Sequence, residues 1–480
     1  MELIIVFAVL AVMIFVGIAV AYQPWNSLEE AAAVTPKGEQ GTAKLGEAVP
    51  NFGQRPPIIL GYKGKQTVSY DGEGHLLTIG FTRSGKGVGA LIPNLLQYPG
   101  SVLVFDPKGE NTITTVARRR AMGQRVVVID PWNITGHADG AYNPLDLAKS
   151  DTSDPVEDAR LIADAVVLPR AISQAFWEEE ARNVIATLAM YLMCDRGARK
   201  VNDWSFLRST VANESDLQTL FRGLTSSPLA DGSIARGAAQ FLEKVPNEKS
   251  GVLSTVRQQT AFLDSDAISA SLNKSTFKFA EVRDQPTTVY VVIPIWRLPS
   301  YSRWMRLLVS SAVTELSRAQ GIAKVPVLVM VDEFAAVGQL QAFEVAYALL
   351  AGYGVQLWPI LQDVNQLARY PSWESFVANA AVLQCFGTRD LTTSRYLSDR
   401  IGVKTQPIYE RSAADGGERR VETVSGRLTQ RPLYFPDEVT RLDAKKGIAL
   451  IENCDPILFD KIRYFEDSRF DLERGFNWSA

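Results

Sequence analysis

Residues 80–87 read Gly80-Phe81-Thr82-Arg83-Ser84-Gly85-Lys86-Gly87 and follow directly on the short apolar run Leu76-Leu77-Thr78-Ile79. A strand, a glycine-bounded loop and a helix-compatible segment in that order make a phosphate-binding loop in all but its last position. Gly80 and Gly85 let the backbone turn with its amide hydrogens inward, where they can hold β- and γ-phosphate oxygens. Lys86 adds a point charge beside the positive end of the next helix. Thr82, Arg83, Ser84 and Val88 complete the stretch expected to touch the nucleotide. The eighth position ordinarily carries a Ser or Thr hydroxyl for Mg²⁺; here it is Gly87. A glycine-rich turn that matches by chance is the alternative, and the strand before the loop weighs against it.

Working outward, Val327-Leu328-Val329-Met330-Val331-Asp332-Glu333 reads as a buried strand delivering two adjacent carboxylates to its C-terminal end, where open α/β sheets keep their ligands. In this pattern Asp332 holds Mg²⁺ directly or through water, and Glu333 orients and polarises the attacking water. A third strand, Leu357-Trp358-Pro359-Ile360-Leu361, ends in Gln362, whose amide is placed to sense a γ-phosphate. Pro359 cannot donate to a central ladder, so the sequence predicts either a bulge there or an earlier end to the strand. Ordinary polar strand termini are the alternative for Gln362 and for Asp332 and Glu333, and the pairing of the two carboxylates with residues 80–87 weighs against it.

The whole chain has 480 residues, enough for two or three domains, with 46% hydrophobic and 21% charged residues, as in ordinary globular proteins. A net charge of −3 argues against a protein that coats nucleic acid with a basic surface, though not against a local basic channel. Cys194, Cys385 and Cys454 are far apart and the only histidines are His75 and His137, so no disulfide framework or metal-ligand spacing exists. Residues 3–22 form an uninterrupted apolar run that as a helix spans ~30 Å, a bilayer core. Glu2, in place of a basic start, favours a membrane anchor over a cleaved signal peptide, although Ala19 and Ala21 would suit cleavage. Flanking charge orients the anchor weakly, because Lys37 and Lys44 are offset by Glu29, Glu30, Glu39 and Glu47. A site for cytosolic ATP puts the bulk of the chain in the cytoplasm.

Residues 23–57, rich in Pro, Gly, Ala and Glu, read as a tether. Short apolar runs follow at 101–105 and 125–129, each stopped by an Asp-Pro at Asp106-Pro107 and Asp130-Pro131. Helical spacing replaces them over 151–270, where Asp154-Pro155 marks a capped start and Trp177, Ala181, Val184, Leu188 and Leu192 share one face. Strands resume at 288–293, 325–331, 354–361, 381–386 and 447–451. The pattern is α/β: one nucleotide-binding domain from 58–150 and 271–480, interrupted by an all-α insert. Residues 410–429, polar and glycine-containing, read as a loop, and Arg118-Arg119-Arg120 as a solvated helix face or a nucleic-acid contact.

With these residues in view the chain resembles the TraG-like type IV coupling proteins, membrane-anchored ATPases of conjugation and type IV secretion. The resemblance rests on residues 80–89, on Ile92-Pro93-Asn94-Leu95-Leu96 through Asp106-Pro107-Lys108-Gly109-Glu110, and on Val331-Asp332-Glu333-Phe334. It continues in Ala351-Gly352-Tyr353-Gly354, Gln362-Asp363-Val364-Asn365-Gln366-Leu367, Phe386-Gly387-Thr388-Arg389-Asp390, and Arg431-Pro432-Leu433 through Pro436-Asp437-Glu438-Val439. It covers about residues 55–475 and implies a RecA-like P-loop NTPase domain with an inserted all-α domain, using ATP and Mg²⁺. It further implies a homo-hexameric ring at the bacterial inner membrane that passes DNA–relaxase complexes, protein effectors, or both, to type IV secretion channel components. Gly-Lys-Gly at 85–87 is similar to the TraG-like subgroup, which leaves Mg²⁺ to Asp332, water and nearby hydroxyls such as Ser84 or Thr82. Family members typically carry two transmembrane helices, and this chain shows one: a first helix is missing from this version, or a single anchor suffices. Arg389 is the candidate arginine finger reaching a ring neighbour's phosphate, with a salt bridge to Asp390 as the local alternative. The competing functions are a general DNA translocase of the FtsK/HerA kind, which has no need of a substrate-docking insert, and a docking receptor that has lost hydrolysis, for which Gly87 is the only support.

Overall fold

A computed structural model describes residues 41–46, 53, 55–149, 153–169, 172–195, 203–319, 321, 323–416 and 419–470. The apolar run 3–22, read as a membrane anchor, lies outside them. Among the described residues no helix is long and apolar enough to cross a membrane. The chain divides into one body of Leu45–Tyr396 with Pro436–Ala480 and a second of Met1–Lys44 with Leu397–Phe435.

In the larger body an eleven-stranded sheet has the order β2-β1-β13-β12-β9-β3-β8-β7-β4-β6-β5. The strands are β1 (Ile58–Lys63), β2 (Gln66–Tyr70), β3 (His75–Ile79), β4 (Val102–Asp106), β5 (Arg125–Ile129), β6 (Thr287–Val292), β7 (Val327–Val331), β8 (Val355–Leu361), β9 (Ala380–Cys385), β12 (Lys446–Ile451) and β13 (Ile457–Asp460). From β9 to β5 every neighbouring pair is parallel. β12, β13, β1 and β2 add an antiparallel flank. β3, β4, β6, β7 and β8 are buried along their whole length, which is why they read as unbroken apolar runs rather than alternating ones.

The helices are α1 (Ile92–Gln97), α2 (Glu110–Ala121), α3 (Pro155–Val166), α4 (Ala175–Cys194), α5 (Asp203–Ala212), α6 (Glu214–Leu224), α7 (Ser233–Leu242), α8 (Pro246–Thr260), α9 (Asp266–Leu272), α10 (Leu298–Arg318), α11 (Gln341–Leu349), α12 (Trp373–Ala378), α13 (Leu391–Ile401) and α14 (Pro436–Thr440). α3 to α9 follow one another between β5 and β6, with no strand among the described residues there. Asp154 caps α3 by accepting from the Val156 amide at 2.8 Å, and Pro155 takes the first turn, where a missing N–H costs nothing. Ala181, Val184, Leu188 and Leu192 are buried in α4 and Trp177 is half-buried, but Ile185, Ala186 and Ala189 are buried too, so burial is not confined to the one face the spacing marks.

Three readings of the sequence change. β8 runs through Pro359 without a shift, Pro359 standing opposite Val331. Main-chain register between β3 and β8 is confined to Thr78↔Ile360 and Ile79↔Leu361, and just before Pro359 the Trp358 indole donates to Thr78 Oγ1 at 2.8 Å. A side-chain bond thus ties the strands where the ladder is interrupted. Arg119 is not on a solvated face. It is fully buried, and its guanidinium donates to the carbonyls of Leu95, Tyr98 and Gly100 and to Thr288 Oγ1. In the smaller body the span read as a loop is a long antiparallel hairpin, β10 (Val403–Gly416) paired with β11 (Arg419–Pro432). Residues 41–43 of the expected tether pair with its base: the Ala43 amide donates to Val403 O and the Thr405 amide to Gly41 O.

His75, at the buried start of β3, accepts from the Leu357 amide at 3.1 Å through Nδ1, and burial drives its imidazole down to about 4. A folded value below the unfolded one of about 6.5 means that acid protonates the unfolded chain first. Stability should therefore be lost as pH falls from about 6.5 through about 4. Urea unfolding across that range should show a shallower loss in His75→Asn, whose amide oxygen keeps an acceptor but does not titrate.

Candidate functional site

The loop after β3 is tied down where it begins. The Gly80 amide donates to Leu361 O at 3.0 Å, and the Phe81 amide to Gly387 O at 3.4 Å. Arg83 and Gly85 take positive φ (65° and 93°), which swings the intervening amides to one side. That conformation is easy for Gly85 and uncommon for Arg83, as in many ligand clamps. Gly87–Leu91 then form a wide turn, the Ile92 amide donating to Gly87 O, before α1 begins. Lys86 Nζ folds back onto Gly80 O. Lys461 braces the loop from behind, donating to Ser84 O (3.2 Å), Phe386 O (2.7 Å) and Ala444 O (2.9 Å).

Across a cavity of about 990 Å³ from this loop stand the ends of β4, β7 and β8. Asp332 and Glu333 leave β7 together, Glu333 in the left-handed region at φ 56°. Asp332 accepts from the Glu333 amide at 3.0 Å, and Gln362 Nε2 donates to Glu333 Oε1 at 2.7 Å. Thr82 Oγ1 is 3.4 Å from Gln362 Oε1, so one amide side chain spans from the phosphate loop to the Glu333 carboxylate. Burial lifts the Asp332 carboxyl to about 6, reinforced by the negative charges of Asp106 and Glu333 and opposed by Lys86 and Lys108. Burial lowers the Lys86 ammonium, against the pull of Asp332 and Glu333. A desolvated amine facing two partly compensated carboxylates is a site built for a charged ligand.

Residues 35–477 match the protein family described as Type IV secretory system Conjugative DNA transfer. The chain belongs to this family. Two of its relatives are the conjugal transfer protein TraG of Escherichia coli, 27% identical over 411 residues, and the protein VirD4 of Rhizobium rhizogenes, 26% identical over 410 residues. The alignments cover 79% and 82% of this chain but 64% and 59% of those proteins, so the chain spans less than two thirds of either. Among solved structures it is similar to the bacterial conjugative coupling protein TrwBdeltaN70 in an unbound form, with a TM-score of 0.68 at 16% identity, covering 89% of this chain and 94% of that one. The plasmid coupling protein TrwB in complex with ADP and Mg²⁺ gives a TM-score of 0.65 at 17% identity, over 89% and 96%. The likeness shows the fold alone: an α/β RecA-like sheet.

Within this conjugative DNA-transfer family member, the expected loop residues Thr82, Arg83, Ser84, Gly85, Lys86, Gly87 and Val88 line the cavity with Asp332, Glu333 and Gln362, and Gly80 anchors the loop from below. Arg389 is not among the lining residues. Its guanidinium lies over the Phe81 ring of the phosphate loop at 4.5 Å, while Asp390 accepts from the amide and hydroxyl of Thr393. The sequence reading overlooked Lys108 and Arg369, exposed cations at the cavity wall, and the brace Lys461. Lys108 stands immediately after the Asp106-Pro107 strand stop, which was its available signal. Asp106, an alternative water-orienting group, is saturated. Both its oxygens accept donors from the turn into α2, including the Gly109 and Thr112 amides and Thr112 Oγ1.

The residues present fit a hydrated Mg²⁺. Asp332 reaches the cavity, and the buried Ser84 Oγ has no hydrogen-bond partner. Such ions keep several waters and take one or two carboxylates plus phosphates. A Cβ built on Gly87 would meet nothing within 4 Å. Gly87→Ser should therefore fold with unchanged stability and bind a non-hydrolysable ATP analogue at lower Mg²⁺ concentration than the parent, as read by titrating Mg²⁺ at fixed analogue. Independently, Mg²⁺-dependent analogue affinity should weaken as pH falls through about 6, where Asp332 takes up a proton. In Asp332→Asn calorimetric titrations, that pH dependence should be absent and affinity low throughout.

Proposed function

We propose that this chain is an ATP-driven, membrane-anchored coupling protein that brings DNA–relaxase complexes or protein effectors to a type IV secretion or conjugation channel and drives their transfer by hydrolysis. The observation that carries this reading is the convergence of Lys86, Asp332, Glu333 and Gln362 on one cavity beside the phosphate loop. The relatives' names supply the biological setting: conjugal transfer for TraG, and a coupling protein for TrwB.

The chemistry asked of the protein is positioning and charge stabilisation. The loop amides and Lys86 hold the phosphate oxygens, Lys86 exchanging its contact with Gly80 O for one with the nucleotide. Asp332, with Ser84 close by, would hold Mg²⁺, which when bound neutralises phosphate charge. Glu333 takes the water's proton as general base, held in place by Gln362. Because Gln362 also meets Thr82, loss of the γ-phosphate on the loop side is felt at Glu333. Lys108 and Arg369 add positive charge at the wall. The helices of 151–270 form the cargo-docking insert within the nucleotide-binding domain of 58–150 and 271–480. Residues 1–22 anchor the chain in the bacterial inner membrane, with the rest cytoplasmic, and six copies form the ring. Arg389, mounted on Phe81, is the proposed residue that reaches a neighbour's phosphate.

Lys86→Ala should lose nucleotide binding, hydrolysis and transfer while inserting normally into membranes. Glu333→Gln should bind the ATP analogue as the parent does and turn over about 10²–10⁴-fold more slowly, since the amide keeps the shape and loses the base. Steady-state hydrolysis and a conjugation assay check both. Transfer at the parent level in Lys86→Ala would remove the motor reading. Arg389→Ala subunits mixed with Glu333→Gln subunits should recover part of the activity, because one intact site then draws on two chains.

A further inference from the structure

Arg306, in the third turn of α10, is 1% exposed and has no carboxylate within ion-pair distance among the described residues. Its guanidinium is satisfied by four main-chain carbonyls. Two, Ala165 O (2.8 Å from Nε) and Asp164 O (2.9 Å from Nη2), lie in the last turn of α3, the first helix of the helical segment. The last carbonyls of any helix lack intrahelical partners, so a cation there both caps the helix and meets its negative end. The other two are Val337 O (2.7 Å) and Gln339 O (2.6 Å), both on Nη1, and they flank Gly338 in the loop that leaves Glu333. Gly338 has φ 65° and ψ −164°, a conformation essentially reserved for glycine, with the Arg306 and Arg369 guanidinium groups and the Leu168 side chain around it. On the opposite side Tyr370 Oη donates to Gly338 O at 2.8 Å and accepts from the Leu340 amide at 3.2 Å.

The same helix continues the connection in both directions. Leu298, Pro299 and Ser302, at its start, line the nucleotide cavity, while Arg303 donates twice to Gln259 Oε1 on α8. Gln259 in turn bonds both the amide and the carbonyl of Leu168, just past α3. A planar fork with fixed donor directions can hold two backbone segments at once in a way a lysine cannot. We propose that Arg306 is a positioning residue. It locks the loop carrying Glu333 to the C-terminal end of α3, so that the hydrolytic carboxylate is set only while the helical segment is seated. This rests on the reading of Glu333 as the water-orienting base.

The test uses the full-length protein with Arg306→Gln, Arg306→Lys and Tyr370→Phe, the last removing one hydroxyl without changing core volume. Hydrogen–deuterium exchange is read at the amides of residues 334–340, and affinity for a non-hydrolysable ATP analogue with Mg²⁺ is measured alongside kcat and KM. Arg306→Gln should speed exchange at 334–340 at least tenfold and lower kcat at least tenfold, with analogue affinity and KM within threefold of the parent. Arg306→Lys should recover part of both, and Tyr370→Phe should move both in the same direction by less. Unchanged exchange and kcat in folded Arg306→Gln would overturn the proposal. So would a fall in analogue affinity matching the fall in kcat, which marks general damage. If Arg306→Gln does not fold, Tyr370→Phe decides by the same readouts. A parent protein without hydrolysis would count against the motor function, while the exchange data would still decide whether Arg306 holds the loop.

Discussion

Taking carboxylates out of water at the C-terminal edge of a parallel sheet is the constraint on which the rest of this structure depends. A buried carboxylate is costly unless its lone pairs are met. Asp106 closes β4 and is fully buried, Asp332 follows the neighbouring β7 and is half-buried, and the protein treats them in opposite ways. Asp106 is wrapped by the turn it caps and supplied with donors from Gly109 to Thr112, which makes it part of the scaffold. Asp332 has the Glu333 amide and the neighbouring charge of Lys86. That incomplete compensation is what a metal-bound, multiply charged ligand would make good. The site is thus defined by where the protein withholds hydrogen bonds as much as by where it supplies them.

Much of this was legible from the sequence, for a physical reason. The parallel strands β3, β4, β6, β7 and β8 are buried on both faces, so they must be largely apolar runs, and such runs announce themselves. The residues at their C-terminal ends, Lys86, Asp332, Glu333 and Gln362, inherit their positions from that register. The features that escaped lie where burial is one-sided or pairing is local. β1, β2 and β13 are short antiparallel strands with weaker patterns, and the β10–β11 hairpin is largely polar in sequence, so it passed for a loop. Pro359 looked like a strand breaker because a sequence does not reveal that the β3–β8 ladder is already interrupted beside it.

The buried arginines escaped for a different reason. Arg119 and Arg306 meet no carboxylate in their bonding shells but main-chain carbonyls near the ends of helices and in turns, and burial lowers both guanidinium groups to about 10. Arg283 does the same for the end of α10, donating to Leu316 O and Ala319 O. No partner residue type is needed, so no charge pattern in the sequence betrays the contact. The energetic logic is that unpaired helix-end carbonyls need donors anyway, and one guanidinium serves several of them at fixed angles. The corresponding cost is rigidity of register: a segment held by its own backbone cannot slide without losing the whole set.

Lys461 carries the same logic into the phosphate loop. It lies just past β13, yet it donates to Ser84 O within the loop and to Phe386 O at the end of β9. The loop is therefore complete only when the antiparallel flank is in place, although the two are 377 positions apart in sequence. Contacts so distant in sequence close large loops, and the chain entropy lost in closing them must be met before the contact repays it. A chain whose parallel strands have assembled but whose β12 and β13 have not would hold Lys86, Asp332 and Glu333 in roughly their order without a braced loop. The shape of the phosphate loop accordingly depends on residues that carry no nucleotide motif at all.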